Sequence, residues 1–122
     1  MDNRGRGEAL RTLVRRLVQG LQPTRLILFG SSAYGEADTD SDLDLMIIVP
    51  ESAEPPHRRA QNAYAHAGVV GVPKDLMVLT EEEFERQAVV ISSLAHTVKK
   101  SGRIVYERAE APRDRQLAVQ EP

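Results

Sequence analysis

Two aspartates, Asp42 and Asp44, alternate with leucines at the head of an apolar run ending at Val49. A strand sends successive side chains to opposite faces, so Asp42 and Asp44 project on the same side, with Cα atoms about 6.5–7 Å apart. Two carboxylates at that spacing repel one another and resist ionising together. A divalent cation shared with phosphate oxygens relieves the conflict, which is the arrangement of metal-assisted phosphoryl chemistry. Upstream, Gly30 and Ser31 close an apolar segment, Leu26 to Phe29, and open a short helix. Backbone N–H groups at such a junction favour phosphate, and Ser31 adds a hydroxyl donor. No Gly-Lys-[Ser/Thr] follows, so this is not a Walker-type loop. Asp75 interrupts another apolar segment, Lys74 to Leu79, and aspartate is disfavoured in strands. The bland alternative makes Asp42 a turn residue and Asp44 and Asp75 exposed strand residues; one shared cation site explains all three together. Asp38 and Asp40 read as solvated turn residues. His57, His66 and His96 have no ligand spacing with one another. Tyr64 and Tyr106 read as core or partner-facing.

The elements that must position these groups follow from periodicity and punctuation. Residues 1–7 are rich in Gly and Arg and read as a frayed end. Leu10, Leu13, Val14, Leu17, Val18 and Leu21 recur at helical spacing, and Pro23 bars continuation. Arg25 to Phe29 and Leu43 to Val49 read as strands, Ser31 to Glu36 as a short helix, and Pro50 closes the second strand. Pro55 and Pro56 suit a helix start, and Ala60, Ala63, Tyr64 and Ala67 give that helix a small-residue face. Lys74 to Leu79 is the third strand. Thr80-Glu81-Glu82-Glu83 is a capping box with Leu79 and Phe84 as its hydrophobic staple. Ile91, Leu94, Ala95 and Val98 form a further helical stripe, with Gly102 at the C′ position, and Arg103 to Tyr106 forms a last strand. The expected layout is α+β: a small mixed sheet, helices mainly on one face, and the site on the other, open face.

At 122 residues, 41% of them hydrophobic, the chain supplies one modest core. The net charge of −2 and the absence of a basic stripe argue against direct nucleic-acid binding. Zero cysteines exclude disulfides and thiolate zinc sites and suit a reducing, cytoplasmic setting. No apolar run nears the roughly 20 residues that span a bilayer, and no signal peptide is visible.

The stretch GSSAYGEADTDSDLDL resembles the signature of the polymerase-beta-like nucleotidyltransferase superfamily. It is most similar to the minimal nucleotidyltransferases (MNT) often encoded beside a HEPN-domain partner. Gly30, Ser31, Gly35, Ser41, Asp42, Asp44 and Leu45 match the pattern, and the resemblance runs from about residue 10 to residue 107, including the closing segment Ser101 to Glu107. It implies a nucleotidyltransferase domain over 1–107 and a polar, flexible tail over 108–122. It implies catalytic and metal-binding roles for Asp42, Asp44 and Asp75, nucleotide contacts from Gly30, Ser31 and Ser41, and two magnesium ions with ATP as substrate. The implied reaction moves a nucleoside monophosphate to a hydroxyl. Larger relatives carry an acceptor-binding domain for which this chain has no room. The expected acceptor is therefore a tyrosine of a HEPN toxin partner, with this chain as antitoxin; self-association is a further expectation. A non-catalytic antitoxin that acts by contact, and a small-molecule transferase of the aminoglycoside type, remain as alternatives. Ser32 and Tyr34 stand where many members carry arginines.

Overall fold

In the computed structural model, residues 4–30 and 42–109 are described. The first apolar stripe becomes α1 (Arg4–Leu21). The expectation of a frayed start is corrected for residues 4–7, which are helical: Arg6 and Ala9 extend the stripe by a turn, and Arg6 is only 9% exposed. Pro23 then separates α1 from β1 (Arg25–Phe29). β2 (Leu43–Val49), α2 (Pro56–Ala67) and β3 (Lys74–Thr80) follow, then α3 (Glu81–Ala88), α4 (Leu94–Ser101) and β4 (Arg103–Glu107). The described strands form one sheet in the order β3-β2-β1-β4. β1 pairs antiparallel with both β2 and β4, whereas β2 and β3 run parallel, with α2 as their crossover.

This is the mixed α+β architecture expected, but the helices do not gather on one face. Leu26, Leu28, Leu43, Leu45 and Ile47 pack with Ala9, Leu13 and Leu17 of α1 and with Ala63 and Ala67 of α2. Ile27, Met46 and Ile48, which alternate with them, pack with Phe84 and Ala88 of α3 and with Ala95 and Val98 of α4. The reason lies in β2. From Leu45 onward it is apolar on both faces, and a strand of that kind needs a layer on each side.

Capping residues set where the last helices begin. Thr80 Oγ1 accepts from the Glu83 N–H at 3.1 Å, and Glu83 Oε1 accepts from the Thr80 N–H at 2.9 Å, which completes the expected capping box. Ser93 Oγ accepts from the His96 N–H at 3.0 Å and starts α4 at Leu94. Ile91 therefore falls outside the helical stripe assigned to it, in the turn between α3 and α4, where it is 80% exposed. Gly102 is likewise corrected: its φ is −72°, ordinary extended backbone, not a left-handed cap. Its value is close approach, because a Cβ there would lie 2.6 Å from both Ile27 Cγ2 and the Val98 carbonyl oxygen.

Glu83 is also held by Arg59 of α2, whose Nη1 and Nη2 donate at 2.7 and 3.0 Å, while Arg59 Nε donates to the Glu54 carbonyl at 2.9 Å. The Arg59 contact, followed by the Thr80 N–H, holds the Glu83 carboxyl down at about 2. A carboxyl with a lower pKa folded than unfolded stabilises the fold above its unfolded value and loses that contribution as pH falls through the folded one. The pair should therefore stabilise the chain fully above pH ~4.5 and progressively less toward pH ~2. Urea unfolding across that window should show a steep acid decline in the native chain and a shallower one in Glu83→Gln, with stability at neutral pH lowered by about 2–3 kcal/mol. Parallel acid profiles would remove the pair from the stability of the fold.

Candidate active site

Parallel pairing of β2 with β3 sets Asp44 directly opposite Asp75. Asp44 shares its face with Met46 and Ile48, and Asp75 shares its face with Met77 and Leu79. Both carboxylates therefore lie on the α3/α4 side of the sheet, near the N-terminal ends of the two strands. The expectation of an uncovered sheet face is corrected accordingly. The site occupies the end of a face whose remainder is covered. Asp75 is exposed and Asp44 half-buried, while Asp42, one residue ahead of β2, is exposed.

The electrostatics match a site short of positive charge. Burial raises the Asp44 carboxyl above its ordinary range; the charge of Asp75 and then that of Asp42 push the same way, and Arg6 opposes them. The two other sequence-predicted carboxylates thus both act on Asp44. Among the described residues, however, no three His, Asp or Glu gather closely enough to form a ready cation cage. Asp44 and Asp75 are the adjacent pair. An all-oxygen donor set with crowded negative charge fits a hard divalent cation such as magnesium.

Gly30 directly follows β1, whose last residue, Phe29, pairs with Asp44 across the sheet. Its φ is +76°, and a Cβ at Gly30 would stand 2.5 Å from Asp44 Oδ2. Glycine is required here twice over: by the backbone conformation and by the carboxylate against it. The predicted phosphate-loop residues Ser31 and Ser41, with Ser32, Tyr34 and Gly35, lie outside the described residues.

Sequence reasoning missed two side chains. Arg6, assigned to a frayed end, is a buried cation whose field reaches Asp44. Its signal was present, since it continues the apolar stripe of α1 one turn toward the N-terminus. Tyr64, read as core or partner-facing, accepts the Leu76 N–H at 3.0 Å and sets its own O–H 3.4 Å from Asp75 Oδ1. No sequence spacing links α2 to β3 in this way; only the crossover brings them together.

The sequence profile described as nucleotidyltransferase domain matches residues 8–100. The fold also matches the crystal structure of a candidate nucleotidyltransferase from Sulfolobus solfataricus, with a TM-score of 0.52 and 20% identity over 85% of this chain and 91% of that one. No curated protein matches the chain. Among the described residues, no helix is long and apolar enough to cross a membrane.

A carboxyl whose pKa is higher folded than unfolded takes up protons on folding, so its ionised form destabilises the fold and stability rises as pH falls toward the folded value. Asp44→Asn should therefore melt above the native chain in metal-free buffer at neutral pH, with the gap closing on acidification. Gly30→Ala should melt lower, by about 1–3 kcal/mol of backbone strain alone. Equal melting of the native chain and Asp44→Asn would mean that Asp44 carries no charge conflict.

Proposed function

The chain belongs to the nucleotidyltransferase domain family, and from that we propose that it transfers a nucleoside monophosphate from a nucleoside triphosphate, ATP by resemblance, to a hydroxyl. The observation that carries this reading is the register that sets Asp44 beside Asp75, with Gly30 backed against Asp44. Asp44 and Asp75, joined by Asp42, would hold magnesium. A divalent cation in such a site neutralises phosphate charge and lowers the pKa of an attacking hydroxyl. Asp75, the more exposed of the pair, is suited to accept the acceptor's proton. The backbone at Gly30, with Ser31 and Ser41 after it, would contact the triphosphate. Arg6 adds positive charge near Asp44.

For the acceptor, we infer a tyrosine hydroxyl of a HEPN-domain toxin, with this chain as the antitoxin in the cytoplasm. The support is the resemblance of the Gly30 to Leu45 motif to MNT proteins. A second reading, a binding subunit that neutralises its partner by contact alone, is favoured by Ser32 and Tyr34 standing where many members carry arginines.

Magnesium with ATP should raise the melting temperature, because a ligand that binds only the folded chain stabilises it. The double variant Asp42→Asn, Asp44→Asn should lose the magnesium-dependent part of that rise. Incubation with α-labelled ATP and magnesium, with and without the HEPN partner, then separates the readings. Label on the partner's tyrosine supports transfer. Tight complex formation without label supports the contact reading, and label on an added aminoglycoside supports a small-molecule transferase.

A further inference from the structure

The Tyr64 hydroxyl is built into the candidate site, and transfer to a partner's hydroxyl does not use it. Tyr64 sits on α2 at the outer edge of β3, the edge strand of the described sheet, and is 39% exposed. Its Oη accepts one hydrogen bond from the Leu76 N–H at 3.0 Å and directs its proton toward Asp75 Oδ1 at 3.4 Å. A phenol oxygen has two lone pairs, so one remains for a further bond. The Lys74 ammonium lies 5.9 Å from the centre of the Tyr64 ring. The oxygen thus has a carboxylate in reach to take its proton and a fixed N–H donor to stabilise negative charge developing on it, while Lys74 places positive charge over the ring.

We propose that Tyr64 is itself a nucleotide acceptor, so that the chain modifies its own hydroxyl at its own site. This rests on the transferase reading above. The co-reactant is a nucleoside triphosphate. The bond from Tyr64 Oη to the α-phosphorus forms as the bond from that phosphorus to the oxygen bridging the β-phosphate breaks. Pyrophosphate leaves with the electron pair, and the Tyr64 proton passes to Asp75. The product is a tyrosyl phosphodiester. Its phenol O–H is consumed, so Tyr64 itself accepts a single nucleotide. Because Tyr64 and Asp75 belong to the same chain, the reaction is intramolecular and its rate is independent of protein concentration.

The test incubates the purified full chain with magnesium chloride and each of the four common ribonucleoside triphosphates, followed by intact mass measurement and peptide mapping. One nucleoside monophosphate per chain, on the peptide carrying Tyr64, is expected, at a rate unchanged by about tenfold dilution. Tyr64→Phe fills the same volume; it should keep a cooperative melt and take no nucleotide. Asp44→Asn should also take none. Modification at another residue, undiminished modification of Tyr64→Phe, or a rate that falls on dilution would overturn the proposal. So would a chain that transfers nucleotide to an added acceptor while Tyr64 stays bare, and in that case the transferase reading stands without it. A chain that neither gains stability from magnesium and triphosphate nor releases pyrophosphate with any acceptor would overturn both.

Discussion

The register between β2 and β3 is the constraint on which the candidate site depends. It sets Asp44 opposite Asp75, and a slip of one residue would turn Asp75 to the α1/α2 face. Hydrophobic pattern does little to prevent that slip, because β2 from Leu45 onward is apolar on both faces and would remain so after it. Polar contacts at the strand ends pin the register instead. At the head, Leu43 donates to the Pro73 carbonyl at 2.9 Å and Leu76 donates to Tyr64. At the tail, Thr80 is tied into the first turn of α3, and Glu83 in that turn is tied to Arg59 of α2. The groups that hold the register and the groups that surround the carboxylates are partly the same residues.

The helix α2 does three jobs through the different directions its side chains take. Ala63 and Ala67 are fully buried against α1 and the sheet. Their small size permits close approach, as does Gly20, where a Cβ would collide with the His66 ring at 2.2 Å. Arg59 reaches the capping box of α3 and links the two helical layers through polar contacts. Tyr64 turns toward the edge of β3 and meets Asp75. Two of its large side chains are committed to polar contacts, Arg59 with Glu83 of α3 and Tyr64 with Asp75 and Leu76 of β3.

Opposed demands of stability and chemistry meet at Asp44. Burial and two neighbouring carboxylates disfavour its ionised form, which is the form a cation requires. The fold tolerates the conflict because Asp44 is only half-buried at the strand end and because Arg6 offsets part of the charge. Gly30 leaves the carboxylate room at the cost of a left-handed backbone position. A surface cluster of acids would show mutual repulsion but not this enforced closeness between a glycine and one carboxylate oxygen.

Local order determined much of this protein. Helical and strand periodicities, Pro23, Pro50 and Pro56, and the Thr80 capping box mark elements whose bounds the structure reproduces within a few residues, because those signals act between neighbours in the chain. The aspartates were legible as well, since charge inside an apolar strand stands out against its flanks. Only the tertiary structure decided which side of the sheet they occupy and that helices cover both faces. It also broke the last helical stripe at Ser93 and left Ile91 exposed in the turn, because a capping hydroxyl there bonds the His96 N–H and begins a new helix. That the charge of Arg6 acts on Asp44 and that Tyr64 meets Asp75 were beyond sequence reading for the same reason, although the burial of Arg6 was not. These interactions join α1 to β2 and α2 to β3 across the fold, and no periodicity within a segment records which partner a side chain meets once layers assemble.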